Sequence, residues 1–219
     1  MVDTCLLVAD IWGVDLERPA RPLISDGVAD VVATLAATSR GLTGRVVARL
    51  SGLSHSGAHK VLVSLGRAGL VHSDNVGSAI VYRLNREHVL VPPLLEMLDA
   101  AAEVRRRLVA EIGRWSIKAV HVSLFGSVAR KESTAASDID LLVVRPEAVN
   151  FEDPVWRLQL EDLARRGLAW SGLYVSWLEL SYAEVVAAVA ADEPIVAEWT
   201  RDGVLLAGVP FDEVRVHGA

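Results

Sequence analysis

Two aspartates separated by one residue interrupt an apolar segment of the chain. Asp138 and Asp140 lie in the segment Ser137–Val144, whose other residues are mostly apolar and predict a buried strand. Side chains two positions apart on a strand point to the same face, so both carboxylates should project together. Two like charges on an apolar strand are costly unless a cation offsets them. The pair therefore indicates a site for Mg²⁺ or Mn²⁺, which prefer oxygen ligands.

A glycine–serine turn precedes the aspartates. Gly126-Ser127 follows the segment Ala119–Phe125, which predicts a strand running into the turn, with a short helix after it. Free N–H groups at a helix start favour a phosphate, glycine permits close approach of the backbone, and the Ser127 hydroxyl can donate a further hydrogen bond. Arg130 either contacts phosphate or lies on the surface, and the sequence leaves both interpretations open.

Gly126-Ser127, ten intervening residues and Asp138-Ile139-Asp140 together resemble the signature of the polymerase-beta-like nucleotidyltransferase superfamily. The likeness is greatest to its minimal bacterial branch, which includes adenylylating antitoxins and relatives of kanamycin nucleotidyltransferase. The resemblance implies transfer of a nucleoside monophosphate from an NTP to a protein hydroxyl or a small molecule. Asp138 and Asp140 would be the catalytic metal ligands, and Gly126, Ser127 and Arg130 would face the phosphates. A toxin partner is also implied.

The family pattern has a third carboxylate on the next core strand, and this chain departs from it. We expect that strand over Leu173–Leu180, which puts Ser176 at the third-carboxylate position. Glu179 has the opposite parity and should face away unless a bulge intervenes. A general base typically contributes about 10²–10⁴ in rate, so a serine there favours slow transfer. The alternative is a catalytically weakened regulator of transcription that senses nucleotide, or an assembly protein that needs none.

A different pattern occupies residues 27–91. Apolar residues at helical spacing predict three short helices, and two segments rich in β-formers follow with a turn around Asp74–Gly77. Thr43 and Ser54 are expected to cap the second and third helices. The predicted elements are Val28–Ala36, a helix carrying Val46, Val47 and Leu50, a helix carrying Ala58, Val61, Leu62 and Leu65, and extended segments from Leu70 and over Ala79–Leu84.

This order of elements resembles the bacterial winged helix-turn-helix regulators. In those proteins the second helix of the motif enters the DNA major groove. The resemblance implies DNA binding through residues 42–84, with five candidate contact residues: His55, Ser56, His59, Lys60 and Arg67. Between Arg40 and Leu90 seven basic residues face two acidic ones, although the whole chain has a net charge of −6. A scaffold or protein-interaction surface is the alternative to DNA binding.

The sequence also indicates how the modules are joined. An extension, residues 1–26, precedes the winged helix at 27–91, and a connecting helix over 92–116 follows Pro92-Pro93 and leads to the nucleotidyltransferase-like domain at 117–219. The apolar stripe of that helix could also form a homodimer face. The fold class is therefore α+β with a mixed sheet. Cys5 is the single cysteine, no apolar run is long enough for a membrane, and the cytoplasm is the simplest compartment.

Overall fold

The computed structural model describes residues 13–216, which form two compact units. The N-terminal unit is Arg18–Ala100, and the C-terminal unit combines residues 13–17 with residues 101–216. Cys5 lies outside the described residues, as does much of the predicted extension. No helix within residues 13–216 has the length and apolar character needed to cross a bilayer.

The N-terminal unit packs four helices with a three-stranded antiparallel sheet of order β1-β3-β2. Its core combines apolar residues of all these helices with those of the sheet, including Val31, Leu62 and Tyr82. The elements are α1 (Asp26–Ala36), β1 (Leu42–Thr43), α2 (Gly44–Leu50), α3 (His55–Arg67), β2 (Val71–Val76), β3 (Ala79–Leu84) and α4 (Val91–Leu98).

Helix α3 begins where its cap residue predicts. The Ser54 hydroxyl accepts a hydrogen bond from the Gly57 N–H at 3.1 Å, which satisfies one free donor of the first turn. Thr43 precedes α2 as expected, but its side chain makes no capping hydrogen bond. The buried residues of α3 are Ala58, Leu62 and Leu65, so its polar side chains lie on the solvent face.

Two details of this region differ from the sequence prediction. The turn expected around Asp74–Gly77 lies at Gly77-Ser78, because Asp74 pairs with Val81 and the ladder continues to Val76. Gly77 has a φ of 60°, which a glycine adopts without strain. The single connecting helix expected over 92–116 is also wrong, since a turn at Asp99 divides it into α4 and α5.

The C-terminal unit has a four-stranded mixed sheet of order β6-β5-β4-β7, which confirms the predicted mixed sheet. Strands β5 and β6 are parallel, and the other pairs are antiparallel. Helices α5 and α7 contribute to the core on one face, and α8, α9 and α10 to the core on the other. The elements are α5 (Ala100–Ile112), β4 (His121–Phe125), α6 (Gly126–Ala129), β5 (Ile139–Arg145), α7 (Pro154–Ser171), β6 (Val175–Ser181), α8 (Tyr182–Ala190), α9 (Pro194–Asp202), β7 (Val204–Gly208) and α10 (Phe211–Val216).

His121 is buried in the middle of this sheet with both ring nitrogens bonded. Nδ1 lies 2.7 Å from the Val209 carbonyl oxygen, and Nε2 lies 2.8 Å from the Ser123 hydroxyl. A carbonyl oxygen only accepts, so Nδ1 carries the proton and Nε2 accepts from Ser123. Burial lowers the pKa of His121 from its ordinary 6.5, although the Val209 contact partly opposes this. The folded state therefore keeps a neutral imidazole.

We expect His121 to make the protein less stable in mild acid. Below pH 6.5 the unfolded chain binds a proton at this position that the folded chain excludes, so the free energy of unfolding falls with pH. Denaturant titrations at about pH 7.5 and about pH 5.5 should show a loss of roughly 1 kcal/mol more in the wild type than in His121→Gln. Equal losses in the two proteins would show that this histidine does not contribute.

Candidate functional site

The two aspartates lie at the start of the central strand β5. Asp140 pairs with Phe125 of β4 on one side and with Ser176 of β6 on the other, and Asp138 directly precedes the strand. Asp140 is half-buried, whereas Asp138 is exposed. The structure therefore places both residues at the same end of the sheet, within reach of β4 and β6.

The Gly126 turn lies directly against one carboxylate. Gly126 is buried, has a φ of 72°, and leaves no room for a side chain because an added Cβ would collide with Asp140 Oδ2. Only glycine fits this conformation and this contact. Helix α6 is a single turn, so its dipole is small, and an anion held there would depend mainly on local N–H groups and the half-buried Ser127.

The electrostatics of the site are dominated by negative charge. Burial raises the pKa of Asp140, and the neighbouring Asp138 carboxylate raises it further. Arg130 acts in the opposite direction, and Glu198 adds to the negative charge. A divalent cation would relieve this repulsion. Within residues 13–216 no three or more acidic, histidine or cysteine side chains cluster to hold a metal, so water or a nucleotide would have to complete the shell.

Arg130 lies beside this site and is held by two acidic side chains. Its Nε donates to Glu132 at 2.9 Å, and its Nη1 lies 3.6 Å from Asp202. Asp202, at the end of α9, also accepts from Arg201 and is only 11% exposed. Asp202 and Glu198 were not predicted as part of this site, because α9 is remote in sequence and no local pattern links it to Arg130.

Ser176 occupies the position next to the aspartates on β6. It is the register partner of Asp140, and its hydroxyl donates to Asp138 Oδ2 at 3.5 Å. Glu179 lies on the opposite face of the strand, where it bonds to other side chains. It is 12% exposed and accepts from Arg145 and from the Trp156 indole, both at 2.9 Å. Glu179 therefore cannot supply the missing carboxylate in this arrangement.

The N-terminal unit presents the five candidate DNA-contact residues on α3. His55, Ser56, His59, Lys60 and Arg67 are all exposed. Within residues 13–216 the four basic side chains of this set make no ion pair or hydrogen bond, whereas Arg83 of β3 pairs with Asp74 at 3.3 Å. The unneutralised positive charge is thus on the helix rather than on the strands after it.

A known family model matches part of the C-terminal unit. Residues 106–179 match the family model described as nucleotidyltransferase domain, and they contain Gly126, both aspartates and Ser176. The match covers about a third of the chain and lies within the C-terminal unit. No curated protein matches the chain.

Solved structures give partial likenesses. A toxin–antitoxin crystal structure with AMP-PNP covers 52% of this chain and 82% of its own, at 17% identity and a TM-score of 0.36. A candidate nucleotidyltransferase from Sulfolobus solfataricus covers 48% and 85%, at 20% identity and a TM-score of 0.28. TrmBL2, an archaeal chromatin protein with a novel mode of DNA binding, covers 84% and 78%, at 16% identity and a TM-score of 0.30.

We expect Glu179→Gln to destabilise the fold. The substitution removes the negative partner of Arg145, whose side chain is only 12% exposed, and leaves that charge poorly compensated. Breaking such a buried pair costs of the order of 3 kcal/mol. Chemical denaturation should show this loss, whereas Glu103→Gln, which breaks a more exposed pair on α5, should cost clearly less because solvent screens that pair. Equal costs would contradict a structural role for Glu179.

Proposed function

We propose that the C-terminal unit is a metal-dependent nucleotidyltransferase that moves a nucleoside monophosphate from an NTP to a protein hydroxyl or a small molecule. The observation that carries this proposal is the position of Asp138 and Asp140 beside the Gly126 turn. The matched nucleotidyltransferase domain contains all three residues. When bound, Mg²⁺ or Mn²⁺ would neutralise charge on the triphosphate and on the reacting oxygens.

Different residues of the site would hold the cation and the phosphates. Asp138 and Asp140 would hold the cation, while the side-chain-free Gly126 lets a phosphate approach the backbone. Ser127 would donate a hydrogen bond to the phosphates. Arg130 lies close enough to affect the pKa of Asp140, so its charge could balance the triphosphate, and Asp202 fixes one side of its guanidinium.

Ser176 supports a second candidate function, a regulator that binds nucleotide without rapid transfer. Its hydroxyl donates to Asp138 and is a poor acceptor for the proton of an attacking hydroxyl. A group with a suitable pKa in that place is worth about 10²–10⁴ in rate. A protein acceptor or toxin that brings its own activation would allow transfer to proceed despite the serine.

We expect both aspartates to be needed for binding of a metal nucleotide. Calorimetry with each NTP and Mg²⁺ should show saturable binding to the wild type, reduced at least about tenfold in Asp138→Asn and in Asp140→Asn, because each loses a charged ligand. Asp162→Asn, on the exposed side of α7, is the matched control and should bind as the wild type does. Saturable binding that survives both site substitutions would contradict the proposal.

The variant Ser176→Asp separates the two candidate functions. It places a carboxylate in register with Asp140, on the face where the family pattern has its third acid. Incubation with labelled NTP, Mg²⁺ and a native protein partner measures transfer directly. Labelling that rises in Ser176→Asp would show that Ser176 limits catalysis, whereas binding without label in both proteins would favour the regulator.

We further propose that the N-terminal unit is a winged helix-turn-helix that binds DNA through residues 42–84. The support is the set of basic side chains on α3, which are exposed and make no ion pair within the described residues. They lie on the part of the helix that would enter a major groove. His55, Ser56 and His59 would reach base edges, and Lys60 and Arg67 would contact phosphates. In a regulator, bound nucleotide would then alter DNA affinity.

We expect DNA affinity to fall steeply with salt. Shift assays across a salt series should give a linear plot of log affinity against log salt, and Lys60→Ala should reduce the slope by about one. Arg165→Ala removes an exposed charge from the C-terminal unit and should leave the slope unchanged. Affinity that does not respond to salt would rule out binding through phosphates.

A further inference from the structure

A cavity of about 480 Å³ opens in the N-terminal unit, apart from the aspartate site. It lies between the start of α2, the first turns of α3 and strand β3. Its lining includes Thr43, Arg45, His55, His59, Ile80 and Tyr82, and no acidic residue lines it. Four of these six side chains can donate hydrogen bonds through nitrogen or a phenol, so the cavity is chemically suited to an anion.

A tyrosine whose hydroxyl makes no hydrogen bond to any described residue lines the cavity. Tyr82 is 8% exposed and is fixed in β3 by pairing with Leu42 and Ser73. Its ring edge lies beside the start of α2, since a Cβ on Gly44 would be 3.5 Å from Tyr82 Cε2. Within residues 13–216 the Tyr82 hydroxyl has no hydrogen-bond partner. The hydroxyl is not enclosed by the protein, so it is free to donate a hydrogen bond to a molecule in the cavity.

The rim of the cavity supplies positive charge. Arg45 is exposed, and in the described part of the chain its guanidinium makes no ion pair. His55 and His59 are four residues apart on α3 and therefore on the same face of the helix. Each imidazole has at least one ring N–H in any protonation state, so both can donate to one anion. A guanidinium also matches the geometry of phosphate oxygens.

We propose that this cavity binds a small molecule carrying a phosphate group. Arg45 and the two histidines contact the phosphate, and the Tyr82 hydroxyl donates from the floor. The half-exposed side chain of Ile80 (48%) forms an apolar wall for the remainder of the ligand. A free ligand can reach a tyrosine as buried as Tyr82, whereas the backbone of a duplex lies on the surface of the protein it contacts.

Occupation of the cavity has a consequence that rests on the proposed DNA binding. His55 and His59 belong both to the cavity lining and to the candidate DNA surface. A ligand bound to them therefore competes with DNA, and each lowers the apparent affinity of the other. The phosphate site itself depends on neither proposed function.

The test is calorimetry on the full chain with a chelator present, using inorganic phosphate and phenyl phosphate as probes. We expect saturable binding, tighter for phenyl phosphate because its ring contacts the apolar wall. Arg45→Gln should weaken binding about tenfold, and Tyr82→Phe, which keeps the ring, roughly threefold to tenfold. Arg49→Gln removes a positive charge from the same helix as Arg45, α2, but outside the cavity, and should bind as the wild type does. Thermal melting confirms that each variant folds.

Three outcomes would overturn the proposal. The first is absence of saturable binding by either probe, and the second is equal weakening in Arg45→Gln and Arg49→Gln, which would indicate general attraction to positive charge. The third is a Tyr82→Phe variant that loses affinity for duplex DNA only, which would assign the hydroxyl to the DNA backbone. Loss of phosphate binding with unchanged DNA binding in Tyr82→Phe would support the site and separate it from the proposed DNA function.

Discussion

The parallel pairing of β5 with β6 is the constraint on which the candidate site depends. Its register places Ser176 beside Asp140, and strand alternation then sends Glu179 to the opposite face. There Glu179 joins Arg145 and Trp156 in a nearly buried set of hydrogen bonds. A shift of one residue would exchange the two faces of β6, which would turn Ser176 away from the aspartates and leave Arg145 without its partner.

Negative charge is concentrated at one end of the sheet and positive charge on one helix of the other unit. Asp138 and Glu198 both act repulsively on Asp140, and Arg130, which is paired with Glu132 and Asp202, opposes them. The basic side chains of α3 have no such acidic partners in the described part of the chain. This difference in charge is the physical basis for proposing a cation with a nucleotide as the ligand of one unit and phosphate oxygens as the ligand of the other.

Local patterns predicted the elements that carry the candidate residues. The cap at Ser54, the apolar strand after Asp140 and the helix after Ser181 all depend on neighbours in sequence, and the structure confirms them. The turn between β2 and β3 lies later than predicted, because the strand pairing continues through the polar residues Asp74 and Asn75 to Val76. Helix α7 was not predicted despite the Asp153 cap and Pro154 at its start. Asp202 and the Tyr82 cavity arise from tertiary packing, which a single sequence does not reveal.

The two aspartates differ in how firmly the backbone holds them. Asp140 lies between two paired strands and against Gly126. Asp138 precedes β5 and is exposed; its carboxylate accepts from Ser176 at 3.5 Å, and the N–H of the next residue, Ile139, donates to the Tyr174 carbonyl oxygen at 2.8 Å. In the proposed metal site, cations of different radius would therefore be accommodated by adjustment of a single carboxylate. The entropy lost on forming a complete coordination shell would fall mainly on residue 138.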